Sequence, residues 1–157
     1  MTRTSGFKTA TGVIASLLVL TVFVSSSPAP IPPPPCDPGT ATPGYWKNHP
    51  EAWPVSEITI GCREYIKDEA ISWMWCPVRG DKTITMFRAL VAAKLNVLIG
   101  NDDSCIACTI RVADWWMRCH PVGSEVKANS RAWKLGELLY SRLDDYNNGE
   151  LCAPPRD

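Results

Sequence analysis

The sequence predicts a mainly α fold: a small helical domain supported by disulfides, with three longer helices, one shorter helix and a short β-hairpin. Three observations carry this. Residues 82–99 repeat apolar side chains at helical spacing between an aspartate and a glycine. Two later segments, 105–118 and 130–146, also place apolar residues three or four apart. Seven cysteines all lie beyond an export-type leader, where cysteines are read first as disulfides.

The elements follow in chain order. Thr42 is a capping residue and Pro43 suits the first position of a single helical turn. Pro50 and Pro54 prevent that turn from growing into a long helix. Ile58 and Ile60 alternate with Glu57 and Thr59, the pattern of a short strand. Gly61 turns the chain, and Cys62 to Tyr65 return as the hairpin partner. Lys67 to Trp75 reads as a short helix stopped by Pro77. Asp81 caps the next helix, Lys82 to Ile99, whose stripe is Ile84, Phe87, Val91, Leu95 and Leu98, widened by Met86, Leu90 and Val97. Gly100 stops it. A loop, residues 101–104, ends in Ser104 as the expected cap of a helix from Cys105 to Arg118, with Ile106, Ile110, Ala113 and Met117 inward. Ser130 caps a last helix to about Tyr146, with Leu135, Leu139 and Leu143 four apart, and Asn147-Asn148-Gly149 ends it.

Residues 1–26 have the order of a secretory signal. Arg3 and Lys8 precede an apolar run, Val13 to Val24, and Ser25 to Ser27 are small residues for a peptidase. An uncleaved anchor is the rival. Ala10 to Val24 would rise only about 22 Å as a helix, against a hydrocarbon core of roughly 30 Å. Residues 27–38 hold seven prolines in twelve, a stiff extended linker or a passive tail. Residues 39–157 are then one helical domain, and the location is secreted or cell-surface.

The whole chain has 16 basic and 16 acidic residues. Without Arg3 and Lys8 the balance is 14 to 16, which argues against a nucleic-acid partner bound through a basic excess.

The cysteines are Cys36, Cys62, Cys76, Cys105, Cys108, Cys119 and Cys152, an odd number. Cys62 with Cys76, Cys36 with Cys152, and Cys105 with Cys108 all satisfy chain geometry. Cys108 and Cys119 would lie about 16 Å apart on one helix, beyond the roughly 7 Å limit for a disulfide. At least one cysteine is therefore left free, joined to another molecule or bound to metal.

The segment TPGYWKNHPEAWP, with PVRGDKTITMFRALVAAKLNVLIGND, ADWWM and LDDYNNG, resembles a group of exported bacterial proteins that carry a GYWKNHPEAWP-type segment. The resemblance implies a bacterial, exported, single-domain protein. It implies no activity and no catalytic residue.

No catalytic motif of Gly-x-Ser-x-Gly, His-Glu-x-x-His or phosphate-loop type is present. Cys105-x-x-Cys108 has the spacing of a disulfide-exchange pair, but Asp102 and Asp103 disfavour a thiolate there. Cys105, Cys108, Cys119 and His120 have zinc-ligand chemistry, yet they occupy both ends of one straight helix. Residues 144–150 lack a calcium loop's alternating oxygen ligands, because Tyr146 takes a ligand position. No metal or cofactor is expected. Seven of the 14 aromatic residues are tryptophan, and of Trp73 and Trp75 at least one ring should reach the surface.

The leading expectation is thus a non-catalytic binding or surface-structural domain with a glycan, peptide or cell-surface partner. Tyr45, Trp46, His49 and Trp53, the densest aromatic and polar segment, are its candidate contacts. The rival is an extracellular hydrolase using His49 with Glu51, or Cys119 beside His120 as a nucleophile, or a thiol-disulfide enzyme using reduced, solvent-reachable Cys105 and Cys108.

Overall fold

A computed structural model describes residues 1–2 and 37–156. The rest of the 1–26 leader, most of the 27–38 linker and Cys36 lie outside the described residues. Within the unit that holds residues 37–156, the chain is mainly α with one hairpin. The elements are α1 (Pro43–Asn48), a 3₁₀ turn (Pro50–Ala52), β1 (Glu57–Ile60), β2 (Arg63–Ile66), α2 (Lys67–Trp75), α3 (Lys82–Leu98), α4 (Ala107–Cys119) and α5 (Arg131–Asn147).

Local chemistry explains the boundaries. Thr42 accepts a hydrogen bond from the Tyr45 N–H, and Pro43 opens α1. β1 and β2 pair antiparallel with Ile60 opposite Arg63. Gly61 and Cys62 form the two-residue turn, both with positive φ (62° and 68°), as a type I′ hairpin requires. Cys62 therefore sits in the turn and the return strand starts one residue later, at Arg63. Asp81 caps α3 by accepting from the N–H and hydroxyl of Thr83, and its second oxygen accepts from the Glu125 N–H. Ser130 caps α5 through the Trp133 N–H.

Helix α3 is the core. Ile84, Met86, Phe87, Leu90, Val91 and Leu95 are buried on it, and α2, α4 and α5 pack around it. The α4 stripe is buried at Ile106, Ala113 and Met117, with Ile110 half-buried. Two apolar stripes differ at their edges. Leu98 is exposed at the end of α3, and Leu135 is exposed on α5. The buried side of α5 instead runs through Trp133, Gly136, Leu143, Tyr146 and Asn147. Leu135 and Gly136 are 100° apart on the helix, and the indole of Trp116 selects the glycine side. A Cβ on Gly136 would lie 2.9 Å from that ring.

Two local expectations are corrected and one is extended. Ser104 does not cap α4: the Asp102 carboxylate takes its N–H and hydroxyl, so the chain turns once more and the helix begins at Ala107. Asn147 does not act only as a helix end. It is buried, accepts from Asn96 and donates to the Ala89 carbonyl. The disulfide is Cys105–Cys152, with Cα atoms 5.8 Å apart.

That bond rules out Cys36–Cys152 and Cys105–Cys108. The Cys62–Cys76 bond is also unformed, because one thiol sits in the hairpin turn and the other at the C-cap of α2. The chain ends of the domain do meet, as Thr40 and Pro155 form a parallel bridge. Cys152, three residues before this junction, is bonded to Cys105 in the loop before α4.

Candidate functional site

The 42–54 segment divides into core and surface. Trp46 is fully buried and donates to the side-chain oxygen of Asn96 at 3.1 Å. Trp53 is buried and donates to the Trp46 carbonyl at 2.9 Å. These two rings fill the interior and anchor α1, so neither presents a ring face to solvent. Tyr45 is half-buried. His49 is exposed, stacks on Tyr45 at 4.4 Å and hydrogen-bonds Glu51 at 3.0 Å. The chain's own backbone at Glu51, then His49, holds the Glu51 carboxyl below its ordinary value. Of the four candidate contacts, Tyr45 and His49 remain available to a ligand.

A different surface has the shape of a binding site. A groove of about 430 Å³ lies between β1, the end of α3 and the start of α4. Its walls are apolar: Val55, Ile58, Val97, Leu98, Ala107 and Ile110. Glu57 and Asp103 also line it. Among the described residues β1 pairs with β2 alone, so its other edge faces away from the hairpin. The groove's end is closed by Lys94, whose ammonium donates to Asp114 at 2.6 Å and to the Thr59 carbonyl at 2.7 Å. Asp114 also accepts from the Gly61 N–H at 2.8 Å. This half-buried ion pair ties the hairpin to α3 and α4 and makes the groove wall rigid.

Glu57 has a like-charged neighbour across the hairpin. Glu64 hydrogen-bonds Glu57 and adds a like charge, which raises the Glu57 carboxyl above its ordinary value. A cationic ligand group placed there would relieve this repulsion.

The sequence reading missed the groove because its walls come from three separate elements. The available signal was Leu98, an apolar residue at the end of a stripe beside the acidic loop 101–104.

Of the enzyme-type groupings, His49 and Glu51 do meet, at the exposed end of α1, whereas the Cys105-x-x-Cys108 pair does not form. Cys105 is bonded to Cys152, so Cys108 has no partner three residues away for disulfide exchange. His120 stacks on Trp116 at 4.7 Å. Among the described residues, no three His, Cys, Asp or Glu side chains group closely enough to hold a metal ion. Comparison with family models, with curated proteins and with solved structures finds no match to this chain.

Proposed function

We propose that the chain is an exported, non-catalytic binding domain that takes an extended, largely apolar peptide segment carrying a basic residue. The observation that carries the reading is the groove itself, lined by apolar side chains and residues of strand β1, with two carboxylates, Glu57 and Asp103, in its lining. The export part is supported by the signal-type leader and the resemblance to exported bacterial proteins. The Cys105–Cys152 disulfide is compatible with an extracytoplasmic location.

The test is retention on peptide and glycan arrays, with Leu98→Glu and Glu57→Lys beside the wild type. Both positions are exposed, so folding should survive. Wild-type retention on apolar–basic peptides, lost in Leu98→Glu and weakened in Glu57→Lys, supports the groove. Retention on glycans that neither substitution alters, or retention on no peptide, overturns it.

A further inference from the structure

Helices α4 and α5 carry a second surface, separate from the groove. Ala107 and Ile110 of α4 line the groove, whereas Val112 and Trp115 lie elsewhere around the same helix. Val112 is 43 % exposed and Trp115 is 63 % exposed, while the neighbouring Trp116 is buried. On α5, Leu135 is 64 % and Leu138 is 76 % exposed.

The two helices run antiparallel side by side. Trp116 donates to the Ala132 carbonyl at 3.1 Å near one end, and Arg142 donates to the Cys105 carbonyl at 3.0 Å near the other. A rotation of about 100° per residue puts Val112 and Trp115 outward of Trp116, and Leu135 and Leu138 outward of Gly136. The four apolar side chains thus stand on the outer side of the α4–α5 pair. Single exposed apolar residues need no explanation, but a cluster with a tryptophan marks an interaction surface.

The charge around the cluster selects the partner. The charged residues of α4 and α5 are five basic, all exposed (Arg111, Arg118, Arg131, Lys134 and Arg142), and four acidic, of which Glu137 is exposed and Asp114, Asp144 and Asp145 are half-buried. The only acid on α4, Asp114, is already paired with Lys94. This excess at the exposed positions stands on a chain whose balance from residue 27 onward is slightly acidic, 14 to 16. An apolar stripe containing tryptophan, flanked by arginine and lysine, is the composition that settles at an anionic bilayer surface. Tryptophan sits well at that depth, and long basic side chains reach from the apolar level to lipid phosphates.

A second copy of the chain fits less well, because five basic groups on each copy would face each other. A soluble polyanion would satisfy the charges and leave four apolar side chains without a partner. We propose that the outer face of α4 and α5 is a docking surface for anionic phospholipid, on which the domain lies without spanning it. No helix among the described residues is long and apolar enough to cross a membrane.

The test uses the full chain and phosphatidylcholine vesicles with and without phosphatidylglycerol, both carrying brominated acyl chains that quench tryptophan. The segment at residues 13–24 is common to every variant, so differences between variants report the face. We expect extra quenching when phosphatidylglycerol is present, reduced by added salt. Trp115→Phe should remove most of that extra quenching, and Trp75→Phe, at the exposed tryptophan of α2, should leave it. Arg118→Glu with Arg131→Glu should weaken the phosphatidylglycerol-dependent part roughly tenfold or more, since each basic group near an anionic surface contributes to binding. Quenching that follows Trp75, or that ignores phosphatidylglycerol, overturns the proposal. So does equal adsorption to dextran sulfate that Trp115→Phe leaves unchanged, or a Cys108- or Cys119-linked dimer that hides the face.

Discussion

Asn96 is buried in α3 with every polar atom of its side chain engaged. Its oxygen accepts from the Ala41 N–H at 2.8 Å and from the Trp46 indole. Its amide nitrogen donates to the Ala41 carbonyl and to Asn147. One amide therefore joins the segment before α1 to both α3 and α5. Leaving buried partners without hydrogen bonds costs more than the bonds themselves contribute. We expect Asn96→Ala to lower stability by about 3–5 kcal/mol, read as a shift of the urea midpoint at unchanged slope. A loss below about 1 kcal/mol would show that water replaces the amide. A polar residue in a helix reads as solvent-facing by type. The counter-signal was its phase, since Asn96 falls three and seven residues after the buried Ala93 and Ala89.

At the scale of elements, the caps and turns were legible because their chemistry is local. Thr42, Asp81 and Ser130 each cap the helix they precede, and Gly61 turns the hairpin. The start of α4 was not legible, because two non-local partners hold the segment beside the local Asp102–Ser104 turn. Cys152 holds Cys105, and the Tyr146 hydroxyl donates to the Asp102 carbonyl at 3.0 Å. Burial, and after it the negative charges of Asp103 and Asp102, push the Tyr146 phenol above its ordinary range. The α4–α5 packing has its own test. Alanine suits a helix interior better than glycine by about 1 kcal/mol, so Gly136→Ala would stabilise an isolated α5. In the folded chain the new Cβ meets the Trp116 ring at 2.9 Å, and we expect a net loss of about 1–2 kcal/mol. Calorimetry should show a lower melting temperature, and a rise would mean that the Trp116 ring moves aside.

For the whole molecule, periodicity made the mainly α class and the central place of α3 readable. Pairing between distant cysteines was not, because it depends on how the helices pack. The bond Cys105–Cys152 spans 47 residues and encloses α4 and α5. In the chain-entropy account, a loop of this length contributes about 4 kcal/mol. Cys105→Ser with Cys152→Ser should destabilise by roughly 3–4 kcal/mol, and reductant should have no further effect on that variant if this bond is the one that matters. The groove and the α4–α5 face were hidden for the same reason as the disulfide. Each is assembled from residues far apart in the chain, and the ring expected at the surface was one of Trp73 and Trp75, of which Trp75 is exposed.

The same bond also decides how the domain would carry a pull. Tension on the segment before α1 and on the residues after Cys152 first meets the Thr40–Pro155 bridge, where the Thr40 N–H and carbonyl bond Pro154 and Arg156. Past that junction, force entering from the far end crosses the sulfur bridge from Cys152 to Cys105 and goes directly to the loop after α3. Helices α4 and α5 hang outside this route as an unstretched side loop. Their outer face would keep its shape while the rest of the chain is under load.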